Sequence, residues 1–133
     1  MKERKKTAFM KKVLIVDDEP FILMIVEDKL KKAGYHVITR RTSSNAMALV
    51  KKETPDLVIM DWMLPGISGL DICKSLGEDP ETRGIPVFML TAKGQEADEV
   101  QGYQCGIKQY ITKPFSPKAL LKLIEETIGK PEQ

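Results

Sequence analysis

Asp17 and Asp18 follow the apolar run Val13–Val16, and Asp61 follows the apolar run Leu57–Met60. Thr91 closes a third run that begins at Val87, and Lys113 ends the segment Tyr110–Thr112. Carboxylates gathered in one place repel one another and are expensive to bury unpaired, so such a cluster calls for a cation. Hard oxygen ligands with room for water favour Mg²⁺, with Mn²⁺ as a substitute; Mg²⁺ takes one or two carboxylates and leaves positions for phosphate oxygens. A hydroxyl and an ammonium nearby supply a hydrogen-bond donor and a positive charge for an anion with several oxygens. Acids, divalent metal, hydroxyl and lysine together describe phosphoryl-transfer chemistry. Asp61 is the candidate nucleophile, because it stands alone on its segment while the Asp17/Asp18 pair holds the metal. One acid at a strand end is commonly a helix cap; the conjunction at four strand ends is the signal.

These residues meet only if the runs before them are strands of one sheet. Apolar runs alternate with helix-period stretches, in the order βα five times over. Strands are predicted at Lys12–Val16, His36–Arg40, Leu57–Asp61, Val87–Thr91 and Gln109–Thr112. Helices are predicted near Pro20–Ala33, Ser44–Lys52, Leu70–Leu76, Glu96–Gln104 and Pro117–Ile128. Pro20 suits a first helical turn, Gly34 a left-handed cap, Ser43 or Ser44 the N-cap of the second helix, and Gly129 the end of the last. Continuous apolar strands joined by helices imply a parallel α/β sheet with right-handed crossovers, and such sheets bind ligands beyond the carboxyl ends of their strands. In the first helix Ile22, Ile25, Val26, Lys29, Leu30 and Ala33 share a face assigned to the core, which leaves Phe21, Leu23 and Met24 as a docking patch for a partner. Gly102 weakens the predicted fourth helix.

The chain has 133 residues, enough for one core. Residues 1–12 carry a net +5 within an overall +2. Residues 1–10 are read as a disordered basic extension, 11–129 as the folded domain, and 130–133 as a tail or the start of a linker. No apolar run approaches a membrane span, no h-region follows the N-terminal basic residues, and Cys73 and Cys105 form no metal-type cluster. A cytoplasmic domain with free thiols is expected, binding neither membrane nor nucleic acid itself.

VLIVDDEP at Val13–Pro20, LVIMDWMLPGISGLDICK at Leu57–Lys74, PVFMLTAK at Pro86–Lys93 and YITKPF at Tyr110–Phe115 resemble the receiver domain of two-component response regulators, over about Lys11 to Ile128. The resemblance implies a flavodoxin-like (βα)5 doubly wound sheet in the order 2-1-3-4-5. It implies that Asp61 accepts a phosphoryl group from a phosphohistidine of a histidine kinase or phosphotransfer protein. It assigns Mg²⁺ to Asp18, Asp61 and the backbone carbonyl of Met63, with Asp17 acting through water, and the phosphoryl oxygens to Thr91 and Lys113. It makes Lys113–Pro114 a cis peptide bond. Thr91 and Tyr110 become the switch that alters the surface formed by the fourth helix, fifth strand and last helix, which an output domain or effector reads. Met63 and Lys93 flank the pocket and tune dephosphorylation. The domain is then a regulatory phosphoacceptor rather than an enzyme, at most dephosphorylating itself slowly, as a stand-alone regulator or part of a larger one. Lys108 and Gln109 before Tyr110, and a last helix with Lys118 and Lys122 but no Arg, depart from the winged-helix transcription-factor group of that family.

The alternative is a Mg²⁺-dependent phosphatase of the haloacid dehalogenase type, which needs a second Asp two residues after the nucleophile, where this chain has Met63. A flavodoxin-like cofactor module needs a hydroxyl- and glycine-rich phosphate loop where Asp17-Asp18-Glu19 stands. His36 is the only histidine and falls at the wrong end of its strand to serve Asp61, so the phosphodonor is expected from another protein.

Overall fold

A computed structural model describes residues 10–92 and 106–131 of the chain. The helix expected at Glu96–Gln104, with Gly102, lies outside the described residues, as do Lys93, Cys105, residues 1–9 and residues 132–133. Five strands, β1 (Lys12–Val16), β2 (His36–Arg40), β3 (Leu57–Asp61), β4 (Val87–Ala92) and β5 (Ile107–Lys113), form one parallel sheet in the order β2-β1-β3-β4-β5. The described helices are α1 (Pro20–Lys32), α2 (Ala46–Glu53), α3 (Gly69–Glu78) and α4 (Pro117–Ile128).

Both faces of the sheet are covered, which is why its central strands are apolar throughout. Val13, Ile15, Leu57, Ile59, Phe88 and Leu90 pack against Leu23, Val26 and Leu30 of α1 and Leu120 and Ile124 of α4. Their neighbours in sequence, Leu14, Val16, Val58, Met60 and Met89, pack on the other face against Val50 of α2 and Ile72, Cys73 and Leu76 of α3. Burying a side chain such as Leu30 or Ile59 contributes about 1.5–3 kcal/mol.

Four expectations need correction. The buried stripe of α1 is Leu23, Val26 and Leu30, a three-and-seven spacing that leaves Ile25 on the flank at 44% exposure. Leu23 is therefore core, and Ile25 joins Phe21 and Met24 on the surface. At α2 the N-cap is Asn45, in a left-handed conformation with no side-chain cap bond, rather than Ser43 or Ser44. The helix α3 runs from Gly69 to Glu78, longer at both ends than its apolar residues indicate; Ser68 Oγ accepts from the Asp71 N–H at 3.2 Å and caps it. The strand β5 begins two residues early. Ile107 pairs with Val87 and Gln109 with Phe88, so Lys108 is the extra residue of a bulge. That bulge puts Ile107 in the α2/α3 core and Ile111 in the α1/α4 core, although an even spacing would place them on one face.

Pro20 opens α1 and Gly34, at φ 104°, follows its C-cap, both as expected. Tyr35 donates its hydroxyl to the Gly129 carbonyl at 2.7 Å, tying the end of α4 to the start of β2. Burial, with help from the Glu125 charge, pushes the Tyr35 hydroxyl up to about 12. The folded state therefore favours the protonated phenol. Its contribution is complete below the unfolded value near 10 and is lost as pH rises toward 12. We expect Tyr35→Phe to lower stability by about 1 kcal/mol at pH 7 and to flatten the alkaline loss of stability. Denaturant melts at pH 8 and pH 11 measure both, and an unchanged alkaline slope would contradict the assignment.

Candidate functional site

Strand order reverses direction between β1 and β3. The crossover from β1 leads outward to β2, and that from β3 leads the other way to β4, which opens a crevice at the carboxyl ends of the two central strands. Asp17 and Asp18 leave β1 there and Asp61 ends β3. Carboxylate oxygens of Asp17, Asp18, Glu19 and Asp61 lie within 4.8 Å of one another.

Backbone N–H groups hold the Asp17 and Asp61 carboxylates. The Asp17 N–H donates to the Arg40 carbonyl of β2 at 3.0 Å, and Asp17 Oδ1 accepts from the Glu19 N–H at 2.8 Å. Asp17 is fully buried, at 0% exposure, whereas Asp18 is more open to solvent. Asp61, 6% exposed, accepts from the Met63 N–H at 3.3 Å on Oδ1 and from Lys113 Nζ at 3.1 Å on Oδ2. Lys113, the last residue of β5, reaches across the sheet edge, with Nζ 2.8 Å from Asp17 Oδ2 and 2.7 Å from Glu19 Oε1. The Asp17 contact is an ion pair without hydrogen-bond geometry, so Asp17 Oδ2 is a buried carboxylate oxygen with no directed donor. The bond from Lys113 to Pro114 is cis, as expected.

Four carboxylates thus cluster around one ammonium that contacts three of them, an excess of negative charge when all are ionised. Burial raises the Asp61 carboxyl above the usual carboxylate range; Lys113 and the Met63 N–H pull it down, and the Asp17 charge adds to the rise. Burial alone would lower Lys113, but the carboxylates of Asp17, Glu19 and Asp61 around it hold it above the ordinary lysine range. A buried oxygen without a directed donor, among close carboxylates and beside a solvent-facing acid, suits a hard divalent cation.

Thr91 is buried at the end of β4, one residue past Leu90, which pairs with Asp61. Tyr110 is half-buried in β5 opposite Met89, with its ring among the α2/α3 core. The Met63 side chain is exposed, and Trp62 is partly buried directly beyond Asp61, its backbone N–H donating to the Leu90 carbonyl at 2.9 Å. His36 is exposed and pairs with Lys12, at the edge of the sheet opposite Asp61.

Three supporting residues escaped the sequence reading. Glu19 is the third acid on Lys113, and the run Asp17-Asp18-Glu19 was its only signal. Ser43 is buried; its hydroxyl donates to the Pro65 carbonyl at 3.0 Å and accepts from the Ile67 N–H at 2.8 Å, joining the loop after β2 to the loop after β3. Gly69 opens α3 against the end of β3. A Cβ there would stand 2.5 Å from the Asp61 carbonyl oxygen, so only glycine admits this approach.

A profile of the response regulator receiver domain matches residues 13–125. The phosphate regulon transcriptional regulatory protein PhoB of Pseudomonas aeruginosa is 42% identical over 120 residues, which cover 90% of this chain and 52% of PhoB. The chain spans about half the length of the curated relatives it matches. The chemotaxis response regulator CheY4 of Vibrio cholerae superposes with a TM-score of 0.80 at 30% identity, covering 89% of this chain and 98% of CheY4. The receiver domain of a sensor histidine kinase from Pseudomonas aeruginosa, with a magnesium ion coordinated in its active site cleft, gives a TM-score of 0.81 at 26% identity, covering 91% of this chain and 99% of that domain.

Proposed function

Because the chain belongs to the response regulator receiver domain family, we propose that it is a phosphorylation-activated switch in which Asp61 accepts a phosphoryl group from a phosphohistidine on a histidine kinase or phosphotransfer protein. The observation that carries this reading is the meeting of Lys113 with Asp17, Glu19 and Asp61 at the crevice between β1 and β3.

An Asp61 carboxylate oxygen forms the new O–P bond as the P–N bond breaks, and the imidazole nitrogen leaves with the electron pair. The Met63 N–H on Oδ1 and Lys113 on Oδ2 fix the carboxylate in place for this step. Lys113 and the Thr91 hydroxyl are the groups for the transferred oxygens. Asp18, Asp61 and the Met63 carbonyl would hold Mg²⁺, with Asp17 acting through water; Mn²⁺ is a substitute. When bound, Mg²⁺ offsets the excess negative charge of the carboxylates and of the phosphoryl oxygens.

Thr91 and Tyr110 lie in adjacent strands. Movement of the Thr91 hydroxyl toward the doubly charged phosphoryl group vacates space at the sheet edge, and Tyr110 turns into it. The surface around β5 and α4 then changes for an output domain or effector. The exposed Phe21, Met24 and Ile25 on α1, with Met63 and Ile67 also exposed in the loop after β3, supply an apolar surface for the phosphodonor protein. The domain is a cytoplasmic regulatory phosphoacceptor spanning residues 11–129, with the basic residues 1–10 and the tail 130–133 outside its switch. No described helix is long and apolar enough to cross a membrane. A haloacid dehalogenase-like phosphatase is not favoured: Met63 stands where its second acid would, and its side chain is exposed.

Trp62, the only tryptophan and the residue after Asp61, reports on the site directly. Mg²⁺ and then beryllofluoride, a phosphoryl mimic, should each change its fluorescence saturably. Asp18→Asn should weaken Mg²⁺ binding roughly tenfold or more, the loss of one charged ligand. A wild-type protein with no response to either addition would sink the reading.

A further inference from the structure

The Lys113 ammonium is enclosed by three carboxylates, hydrogen-bonded to Glu19 at 2.7 Å and to Asp61 at 3.1 Å and ion-paired with Asp17 at 2.8 Å. A phosphoryl oxygen on Asp61 must compete with these carboxylates for the ammonium. Asp17 is fully buried, and losing its counter-charge would leave a carboxylate unpaired in the interior. Asp61 would itself carry the phosphoryl group. Glu19 remains: its side chain is 56% exposed, so water replaces the ion pair at little cost.

Glu19 is also placed for this contact rather than for the helix. It is the N-cap residue of α1 in an extended conformation, yet its side chain makes no cap hydrogen bond and turns to Lys113 instead. Its backbone N–H is fixed on Asp17 Oδ1, so releasing Lys113 needs rotation of the side chain alone. We propose that Glu19 is a positioning residue that tethers Lys113 in the resting pocket and sets the threshold for phosphoryl binding by competing with the phosphoryl oxygens for the ammonium. This rests on the phosphoacceptor reading of Asp61 and assigns a regulatory element to the same site.

Beryllofluoride affinity at saturating Mg²⁺, read by Trp62 fluorescence, tests the tether in the wild type, Glu19→Gln and Glu19→Asp. Melting temperatures and a separate Mg²⁺ titration establish folding and metal saturation for each variant. An exposed ion pair carries roughly a two- to fivefold weight in an equilibrium, so E19Q should bind beryllofluoride about two- to fivefold more tightly. E19D keeps the charge but is one methylene too short for the 2.7 Å contact, and should gain affinity with it. No gain in E19Q overturns the tether. A gain in E19Q with wild-type affinity in E19D also overturns it, assigning the effect to the field of the charge. A wild-type protein that never binds beryllofluoride removes the phosphoacceptor reading and the tether together; wild-type binding with unchanged E19Q removes the tether alone.

Discussion

Asp61→Asn should abolish phosphoryl labelling by a small-molecule donor or a kinase, to below ~1% of the wild-type rate, because the amide lacks the anionic oxygen that attacks phosphorus. The fold should survive the change. Without divalent metal the ionised Asp61 is a liability: burial and the Asp17 charge raise its carboxyl above the ordinary range. The folded state therefore favours the protonated acid, and its penalty is complete above the folded value and relieved as pH falls toward the unfolded one. A neutral amide carries no such penalty, so in chelator at pH 7 Asp61→Asn should melt at or above the wild-type temperature. Intact-mass detection of the added phosphoryl group, paired with thermal melts, checks both halves. Full labelling of Asp61→Asn would end the assignment, and lost labelling with a collapsed melt would attribute the effect to misfolding.

The second large effect is expected at Gly69. Its φ does not lie in the left-handed region, so alanine fits its backbone, and the obstacle is space alone. The added Cβ would sit 2.5 Å from the Asp61 carbonyl oxygen and 3.1 Å from Met89 Sδ. The sulfur ends a flexible side chain and gives way, but the carbonyl belongs to the last residue of β3. Either α3 lifts from the sheet or the end of β3 moves. Overpacking of this kind costs about 1–3 kcal/mol, on the order of 4–10 °C in melting temperature for a domain of this size. Because the displaced backbone is that of Asp61, Gly69→Ala should also weaken beryllofluoride binding, by more than tenfold, as expected when a reacting group moves by about 1 Å. A melt within 1–2 °C of wild type, an ordinary surface-mutation effect, would mean the contact relaxes freely.

The parts of this molecule most visible in its sequence are those with a strong period or a bounded run. Strands β1 to β3 match their predicted bounds residue for residue, and β4 extends one residue further, to Ala92. The five chemically suited positions, Asp17, Asp18, Asp61, Thr91 and Lys113, fall at the carboxyl ends of their strands, which follows from the parallel arrangement alone. What stayed hidden depends on relations between segments. The face of α1 could not be fixed because apolar residues occupy six consecutive positions, Phe21–Val26, and only docking selects Leu23 over Ile25. The start of β5 was masked by polar Lys108 and Gln109, which a bulge at the sheet edge accommodates. Ser43 looked like a helix cap because serine before an apolar stretch often is one; its true partners are 22 and 24 residues away. The cis bond at Lys113 was available only through the family resemblance, since nothing in a Lys-Pro pair announces it.

The alternation of the two cores along each strand restricts how this chain can vary by descent. Deleting one residue within β1 or β3 would exchange the apolar set facing α1 and α4 with the set facing α2 and α3. The same deletion would draw the terminal carboxylate back by about 3.3 Å, more than the length of any contact it makes with Lys113 except by a new path. Packing and chemistry are therefore locked to a single reading frame of the strand. Viable length changes are confined to the connections, where neither the parity of a core nor the reach of an acid is counted.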